Sequence, residues 1–444
     1  MKKIAVIGGG YTGLSIAKRI IEKGNGNFEV GIYEKDAEVG GLVKAINKCD
    51  NYLDIHYRHI FKSDSYCIDM AKQFGINLIW PKTKMGYFTN HKLFEFGTPF
   101  SLLKFKPLGL INKIRFGLAI IDLKLQKRFD KLENYTAEEY IINRYGKEVY
   151  KSVWEPLLLG KFGNKKDQIS MAWLWGKIAL RSSSIGIDGE RLGYIDGSYK
   201  MLTDKLYEYL TNNNCKFYLK TQVEKISNRN NKYIINDEDN IEYDIIVSTL
   251  PDVVTGKIYS ECISDIEKKT LNNMEYTSAK TLILISKKSL SKYYWLNIGD
   301  KNIPFGGIIE HTNMISKDKY NNKNIIYISN YMYKNNKLYN YNAEELLEEY
   351  LPYLNKINPG FSKKNIEEIV LSDVEYAQPI IKTNYSKEKV KSKFEYTDLY
   401  IANMEQIYPE DRGMNYAIRL GYNIADEIIS NTNITNQKKE ENKR

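Results

Sequence analysis

Lys2-Lys3-Ile4-Ala5-Val6-Ile7-Gly8-Gly9-Gly10-Tyr11-Thr12-Gly13-Leu14 opens the chain, and its reading decides the fold. A β-rich run from Ile4 to Ile7 meets a glycine turn. A helical pattern follows, in which Leu14, Ile16, Ala17, Ile20 and Ile21 recur with Ser15, Lys18 and Arg19 between them. Gly24-Asn25-Gly26 stops that pattern, because these residues accept the left-handed backbone that ends helices. A second β-rich run, Phe28 to Tyr33, comes next. The segment is a βαβ unit that closes within about thirty residues, as a parallel crossover should. Gly8, Gly10 and Gly13 occupy the GxGxxG positions between strand and helix. They supply a tight turn, close backbone approach to a pyrophosphate, and close helix-to-strand packing. Tyr11 and Thr12 share that turn, at a helix N-terminus whose free N–H groups attract phosphate. Glu34, 21 positions after Gly13 at the end of the second run and followed by Lys35, is placed to accept hydrogen bonds from a ribose diol. Its negative charge disfavours a 2′-phosphate.

Composition sets the outer bounds. The chain has 444 residues, 43% hydrophobic and 27% charged, which excludes wholesale disorder or a disulfide scaffold and leaves room for two large units. A net charge of +10 suits anionic ligands or an anionic membrane surface without demanding either. Cys49, Cys67, Cys215 and Cys262 form no CxxC pair, so neither a metal site nor a dithiol centre is expected, and the cysteines read as reduced and cytoplasmic. The apolar run before Gly8 is too short for a signal-peptide core, and no stretch of about 18 apolar residues predicts a spanning helix. No nucleic-acid partner is expected. Phe100 to Arg128 mixes leucines, isoleucines and phenylalanines with Lys104, Lys106, Lys113, Arg115, Lys124, Lys127 and Arg128. That mixture suits an interfacial helix on anionic lipid, and equally an amphipathic helix in water.

Downstream, Pro81 to Ser184 reads as a mostly helical insertion. Met201 to Tyr209 reads as a helix, Asp244 to Pro251 as a buried strand ending in a Pro-stopped turn, and Thr281 to Ser286 and Ile325 to Ser329 as strands of a second sheet. Ala343 to Leu354 is predicted helical. Leu399 to Ala402 is a strand and Met414 to Ser430 a helix, after which Asn431 to Arg444 is polar and expected to be disordered.

Beyond Glu34 the chain reads Glu38-Val39-Gly40-Gly41-Leu42, where glycines let the backbone pass close to a second part of a longer dinucleotide. Here the sequence resembles the flavin amine-oxidase superfamily, whose members include protoporphyrinogen oxidase, phytoene desaturases and monoamine oxidases. The resemblance continues at Asp244 to Pro251. It extends to Val223, similar to a valine whose backbone contacts adenine, and to Leu399-Tyr400-Ile401-Ala402-Asn403 followed by Arg412-Gly413-Met414-Asn415-Tyr416-Ala417. It implies FAD as cofactor, held at Gly40, Gly41, Leu42, Val223, Asn403, Gly413, Met414 and Asn415 as well as the first motif. Two departures stand out. Leu42 replaces the usual arginine after the glycine pair, leaving Lys44 as a substitute to be tested, and Asn403 stands where many members have Gly-Asp. The implied fold is α/β, a discontinuous Rossmann-like FAD domain (1–75, 190–255, 370–430) with an α+β substrate domain of mixed sheet and helical insertion (76–189, 256–369).

In that superfamily the segment after the glycine pair passes the flavin ring, so His56, Arg58 and His59 become candidates to bind an anionic substrate or handle a proton. Lys280 becomes a candidate for the lysine that some amine oxidases hold near flavin N5. Trp154 to Gly163 resembles a substrate-domain block and would roof the site. The activity implied is FAD-dependent oxidation of a C–N or C–C bond in a small molecule, lipophilic or sugar-linked. His59-Ile60-Phe61 and Ile308-Ile309-Glu310-His311 also resemble UDP-galactopyranose mutase, which makes a redox-neutral flavoenzyme the alternative.

Overall fold

Ile4, Ala5, Val6 and Ile7 are all buried. A strand turns successive side chains to opposite faces, so this one must be covered on both sides. In the computed structural model, which describes residues 1–182, 184–186, 189–238, 241–410 and 412–441, it is. Ile4 and Val6 enter one core with Leu14, Ala17 and Ile20, while Ala5 and Ile7 enter another with Tyr33, Val223 and Ile246. Each of the isoleucines, valines and leucines among them contributes roughly 1.5–3 kcal/mol by leaving water.

Twelve strands make the two large sheets. In chain order they are β1 (Lys2–Ile7), β2 (Phe28–Tyr33), β3 (Met85–Thr89), β4 (Lys92–Phe96), β5 (Lys216–Tyr218), β6 (Ile245–Ser248), β7 (Tyr276–Ser286), β8 (Trp295–Ile298), β9 (Gly307–Glu310), β10 (Asn324–Met332), β11 (Ile366–Pro379) and β12 (Leu399–Ile401). The first sheet runs β5-β2-β1-β6-β12 and is parallel throughout, with Val6 between Ile32 and Val247. The second runs β11-β7-β10-β9-β8-β3-β4 and is antiparallel except where β8 pairs with β3. Helices α1 (Tyr11–Lys23) and α4 (Met414–Glu441) pack on the first sheet, α2 (Leu110–Leu125) belongs to the helical insertion, and α3 (Lys200–Asn212) precedes β5. α1 and α4 meet at Gly421, where a Cβ would lie 2.7 Å from the Thr12 carbonyl oxygen. Beside that contact Arg19 grips Asp426 with two hydrogen bonds of 2.8 Å.

The α/β class expected from sequence is the one observed, with four local differences. The stretch predicted to be helical from Pro81 begins instead with the hairpin β3–β4. β11 belongs entirely to the second sheet, so the last segment of the first domain begins after Pro379 rather than at 370. Ile258, Tyr259 and Leu271 pack with Ile246 and Leu399, so the chain just past 255 stays with the first sheet. α4 continues through Glu441 where a disordered tail was expected, with Thr432 buried and the Asn431 amide donating to the Tyr400 hydroxyl at 3.1 Å. Residues 442–444 of that tail lie outside the described residues.

Parity decides what each strand of the second sheet presents. On β7, Ile283 and Ile285 join the core shared with the first domain, whereas Leu282 and Leu284 join a core with Leu346, Leu347 and Leu354 of the helix Ala343–Ile357. Lys280 has the parity of Leu282. Its ammonium bonds the Tyr341 carbonyl at 3.1 Å and Asp373 at 3.0 Å on that far face.

Candidate active site

The glycine turn after β1 is shaped by three different constraints. Gly8 has φ +108°, and a Cβ there would fall 2.3 Å from Thr249 Oγ1. A Cβ on Gly13 would fall 2.1 Å from the Gly8 carbonyl oxygen, so α1 can seat on the turn only with glycine. Gly10 is different. Its backbone (φ −77°, ψ 176°) suits any residue, and a Cβ would meet no protein atom nearer than Gly41 Cα at 3.9 Å. The polypeptide itself does not require glycine there. Gly10 is also the N-cap of α1, with no side-chain cap and no acid in the first turn, so the free N–H groups of Tyr11, Thr12 and Gly13 face the same space. A phosphate fits that position by charge and by room.

The Gly40-Gly41 loop lies against this turn. The Gly40 amide donates to the Gly9 carbonyl at 2.8 Å, and a Cβ on Gly41 (φ +56°) would crowd Gly10 Cα at 3.1 Å. Glu34 ties the two loops together, taking the Gly9 amide on Oε2 at 2.8 Å and the Asp36 amide on Oε1 at 3.0 Å. Each oxygen keeps a second acceptor direction for a diol. Thr221 donates its amide to the Glu34 carbonyl at 2.9 Å, which brings buried Val223 alongside the strand end. Lys35 is exposed. Lys44 pairs with Asp36 and does not replace the missing arginine. The guanidinium of Arg58 does reach this loop, donating to the carbonyl of half-exposed Leu42, with its Nε buried and lacking a hydrogen-bond partner.

At the other end of the trough, the Asn403 amide fastens the turn after β6, donating to the Leu250 carbonyl at 2.9 Å and to Asp252 at 2.7 Å. A Cβ on Gly413 would meet nothing within 4 Å, so open space also precedes α4, which begins at Met414. Asn415 accepts the Cys67 amide at 3.1 Å. Behind Asn403 lie two buried acids, Asp252 and Glu405, linked through Tyr276, whose hydroxyl donates to Glu405 and accepts the Asp252 amide. Burial pushes both carboxyls above their usual range, and the neighbouring Asp252 charge raises Glu405 further. An acid raised on folding costs nothing below its unfolded value of about 4, where both states hold the proton. As pH climbs toward the raised folded value, the unfolded chain sheds that proton first and stability falls. The expected result is a melting temperature that drops from pH 5 to pH 8. Glu405→Gln should flatten this slope by on the order of 1 kcal/mol or more over the interval, read from thermal melts at each pH.

The segment following Asp54 runs beside β10. Tyr57 bonds Ser329 Oγ at 3.3 Å, and Tyr331 accepts from the Arg412 guanidinium at 3.0 Å. Lys161 stands 5.1 Å from the Tyr331 ring centre and 5.5 Å from that of Trp173. His56 is pushed down to about 3 by burial and then by the charges of Arg58 and Arg412, so it is neutral near pH 7. His59 sits among aromatic rings, edge-on to Phe61 and Trp295, with Nδ1 3.1 Å from the Tyr294 hydroxyl. Trp295 in turn lies under Arg181, 5.4 Å from its centre. The structure therefore brings together His56, Tyr57, Tyr331 and Arg412, with Lys161 and Trp173 beside them. Tyr57, Tyr331 and Lys161 are not expected from the sequence, and Arg412 is expected only as part of the segment Arg412 to Ala417.

Other expected participants lie elsewhere. Lys280 is on the opposite face of the sheet, as described. Trp154, Leu158 and Phe162 fill the core of the helical insertion rather than roofing a site. His311 is buried with Nε2 2.9 Å from the Tyr320 hydroxyl, and Glu310 takes the Ser291 amide at 2.8 Å. An open cleft of about 490 Å³, lined by residues such as Val253, Tyr276, Tyr333 and Tyr376, shares no residue with this wall. Among the described residues no cluster of His, Cys, Asp and Glu is arranged to hold a metal ion.

Comparison with known proteins agrees with this geometry. Coproporphyrinogen III oxidase of Staphylococcus aureus is 25% identical over 182 residues, an alignment spanning 38% of this chain and 38% of that protein. A provisionally named protoporphyrinogen oxidase from Exiguobacterium sp. 255-15 superposes with a TM-score of 0.77 at 15% identity, covering 97% of this chain and 99% of the other. Reduced UDP-galactopyranose mutase gives 0.75 at 15% identity, covering 97% and 96%. The model of the flavin-containing amine oxidoreductases matches residues 11–412, from the start of α1 through the Gly40-Gly41 loop to Arg412. The chain belongs to the flavin-containing amine oxidoreductase family, whose members use FAD.

Proposed function

We propose that FAD lies along the trough from Glu34 to Gly413 and that an anionic small molecule is oxidised at the wall of His56, Tyr57, Tyr331 and Arg412. The observation that carries the placement is Gly10, whose missing side chain leaves room in front of an uncapped helix N-terminus. Glu34 would hold the ribose, the amides of Tyr11 to Gly13 the pyrophosphate, and Arg58 the far side of the Gly41-Leu42 loop. Bound FAD supplies a hydride acceptor for a C–N or C–C bond. The protein's part is to position the substrate and set its charge environment. Arg412 and Lys161 place cations against Tyr331 and Trp173, while Arg181, over Trp295, is paired with Glu190. Such a wall attracts carboxylates or phosphates and repels a protonated amine. Neutral His56 offers a hydrogen bond without adding charge. A tetrapyrrole bearing carboxylates, the kind of molecule named in the Staphylococcus aureus relative, fits this wall better than a polyamine. A sugar nucleotide is the second reading, favoured by the same cations.

The protein as purified is mixed anaerobically with coproporphyrinogen III, with a diamine, or with UDP-galactopyranose after photoreduction. Bleaching of the flavin by the porphyrinogen and not by the diamine is the expected result. Turnover of the sugar nucleotide only in the reduced state, without net electron flow, would replace oxidation by isomerisation. Bleaching by the diamine alone would overturn the anionic assignment.

A further inference from the structure

Among the described residues, half of the large apolar side chains left in solvent, eight of sixteen, fall between Phe100 and Leu125. α2 explains most of them. Ile111, Ile114, Leu118, Ile121 and Leu125 recur at spacings of three and four and are each more than half exposed, so they form one continuous stripe. Its other face is apolar as well. Phe116, Ala119 and Leu123 are buried, α2 packs on the helix Met171–Ser182, and Trp175 Nε1 donates to the Leu123 carbonyl at 2.8 Å. The outer stripe is therefore surplus to the fold. Phe100 and Leu103, 76% and 62% exposed on the short helix just before, enlarge it. Soluble surfaces seldom carry so large an apolar patch without a partner.

Charge identifies the partner. Between Pro99 and Arg128 there are seven basic residues and one acid, Asp122, which is held by Arg144 and Tyr145. By helical spacing Lys113 and Lys124 flank the stripe on one side and Arg115 on the other, where long side chains can extend past an apolar face toward anionic groups. A second copy docked on this face would set basic residues against basic residues. A negatively charged bilayer meets both requirements, with acyl chains for the stripe and headgroups for the flanks. No helix among the described residues is long and apolar enough to cross a membrane, so the contact is made from one side. We infer that α2, with Phe100 and Leu103, docks this enzyme in the plane of an anionic lipid surface.

The inference is tested on the flavin-loaded full chain by co-sedimentation with unilamellar vesicles of phosphatidylcholine, alone or with about 30% phosphatidylglycerol. Wild type is expected to partition at least ~10-fold more strongly onto the anionic vesicles, and to lose that preference in about 0.5 M NaCl. Ile114→Glu combined with Leu118→Glu should cut binding at least ~10-fold while the flavin spectrum and melting temperature stay unchanged. Failure of wild type to sediment with anionic vesicles, or equal binding by the double variant, would overturn the inference. So would a wild-type dimer in sedimentation velocity that the double variant converts to monomer, because a second copy would then own the face.

Discussion

Gly10→Ala is expected to give a folded protein that purifies without yellow colour. Every other glycine of the motif confounds this experiment. A side chain on Gly13 would collide with the Gly8 carbonyl oxygen at 2.1 Å, and one on Gly8 with Thr249 at 2.3 Å, so those variants lose the turn before they report on a ligand. Glu34 is equally compromised, since it accepts the Gly9 and Asp36 amides that hold the loops together. At Gly10 the added methyl meets only Gly41 Cα at 3.9 Å and requires no unusual backbone. What it takes is the space where a pyrophosphate would approach the amides of α1. We expect FAD affinity to fall by ~100-fold or more, about 2.7 kcal/mol, in a titration of the flavin-free protein, with the circular-dichroism melt of that protein unchanged. A variant that retains stoichiometric flavin would show that the cofactor lies elsewhere.

Arg412→Ala should slow flavin reduction by a carboxylated donor on the order of 100-fold, while reduction by dithionite proceeds at the wild-type rate. The guanidinium is held by Tyr331 at 3.0 Å and faces His56, so it arrives preorganised for a bidentate anion. Lysine at the same position is a point charge without that fork and should restore little of the rate. Lys280→Ala is the matched control, because its ammonium is committed to Asp373 and Tyr341 on the far face, and its rate should stay within about twofold of wild type. Equal losses with dithionite would mean that Arg412 acts on the flavin environment rather than on the donor.

The two halves of the molecule differ in how much of them sequence discloses. The βαβ unit is legible because each of its signals is local: β-branched residues, a glycine turn and a helix stop within thirty residues, all matched by β1, α1 and β2. The proposed placement of FAD follows from the same local chemistry. The substrate wall does not. Tyr331 and Arg412 are 81 positions apart, Tyr57 and Ser329 are 272 apart, and no spacing rule connects them. Lys280 illustrates a subtler loss. Alternation separates Lys280, Leu282 and Leu284 from Ile283 and Ile285, yet both sets are equally buried, so the pattern does not say which faces the flavin domain. The contact of Arg58 with the Leu42 carbonyl is likewise invisible in the sequence, because it forms only once the hairpin Ala45–Lys48 with Asn51–Asp54 folds back between them.

β6 sits between β1 and β12, so the central ladder of the nucleotide sheet joins residues near positions 4, 246 and 400. During synthesis on the ribosome the amino-terminal crossover emerges first but waits for some 240 further residues before its inner neighbour exists. β12 and α4 complete the layer only after residues 399–441 have been made as well. The proposed flavin site is therefore complete only once α4 has been made. A chain cut between Ser248 and Leu399 would present β6 as a naked parallel edge and α1 with its outer side bare, a species for chaperones and proteases rather than a smaller flavoprotein.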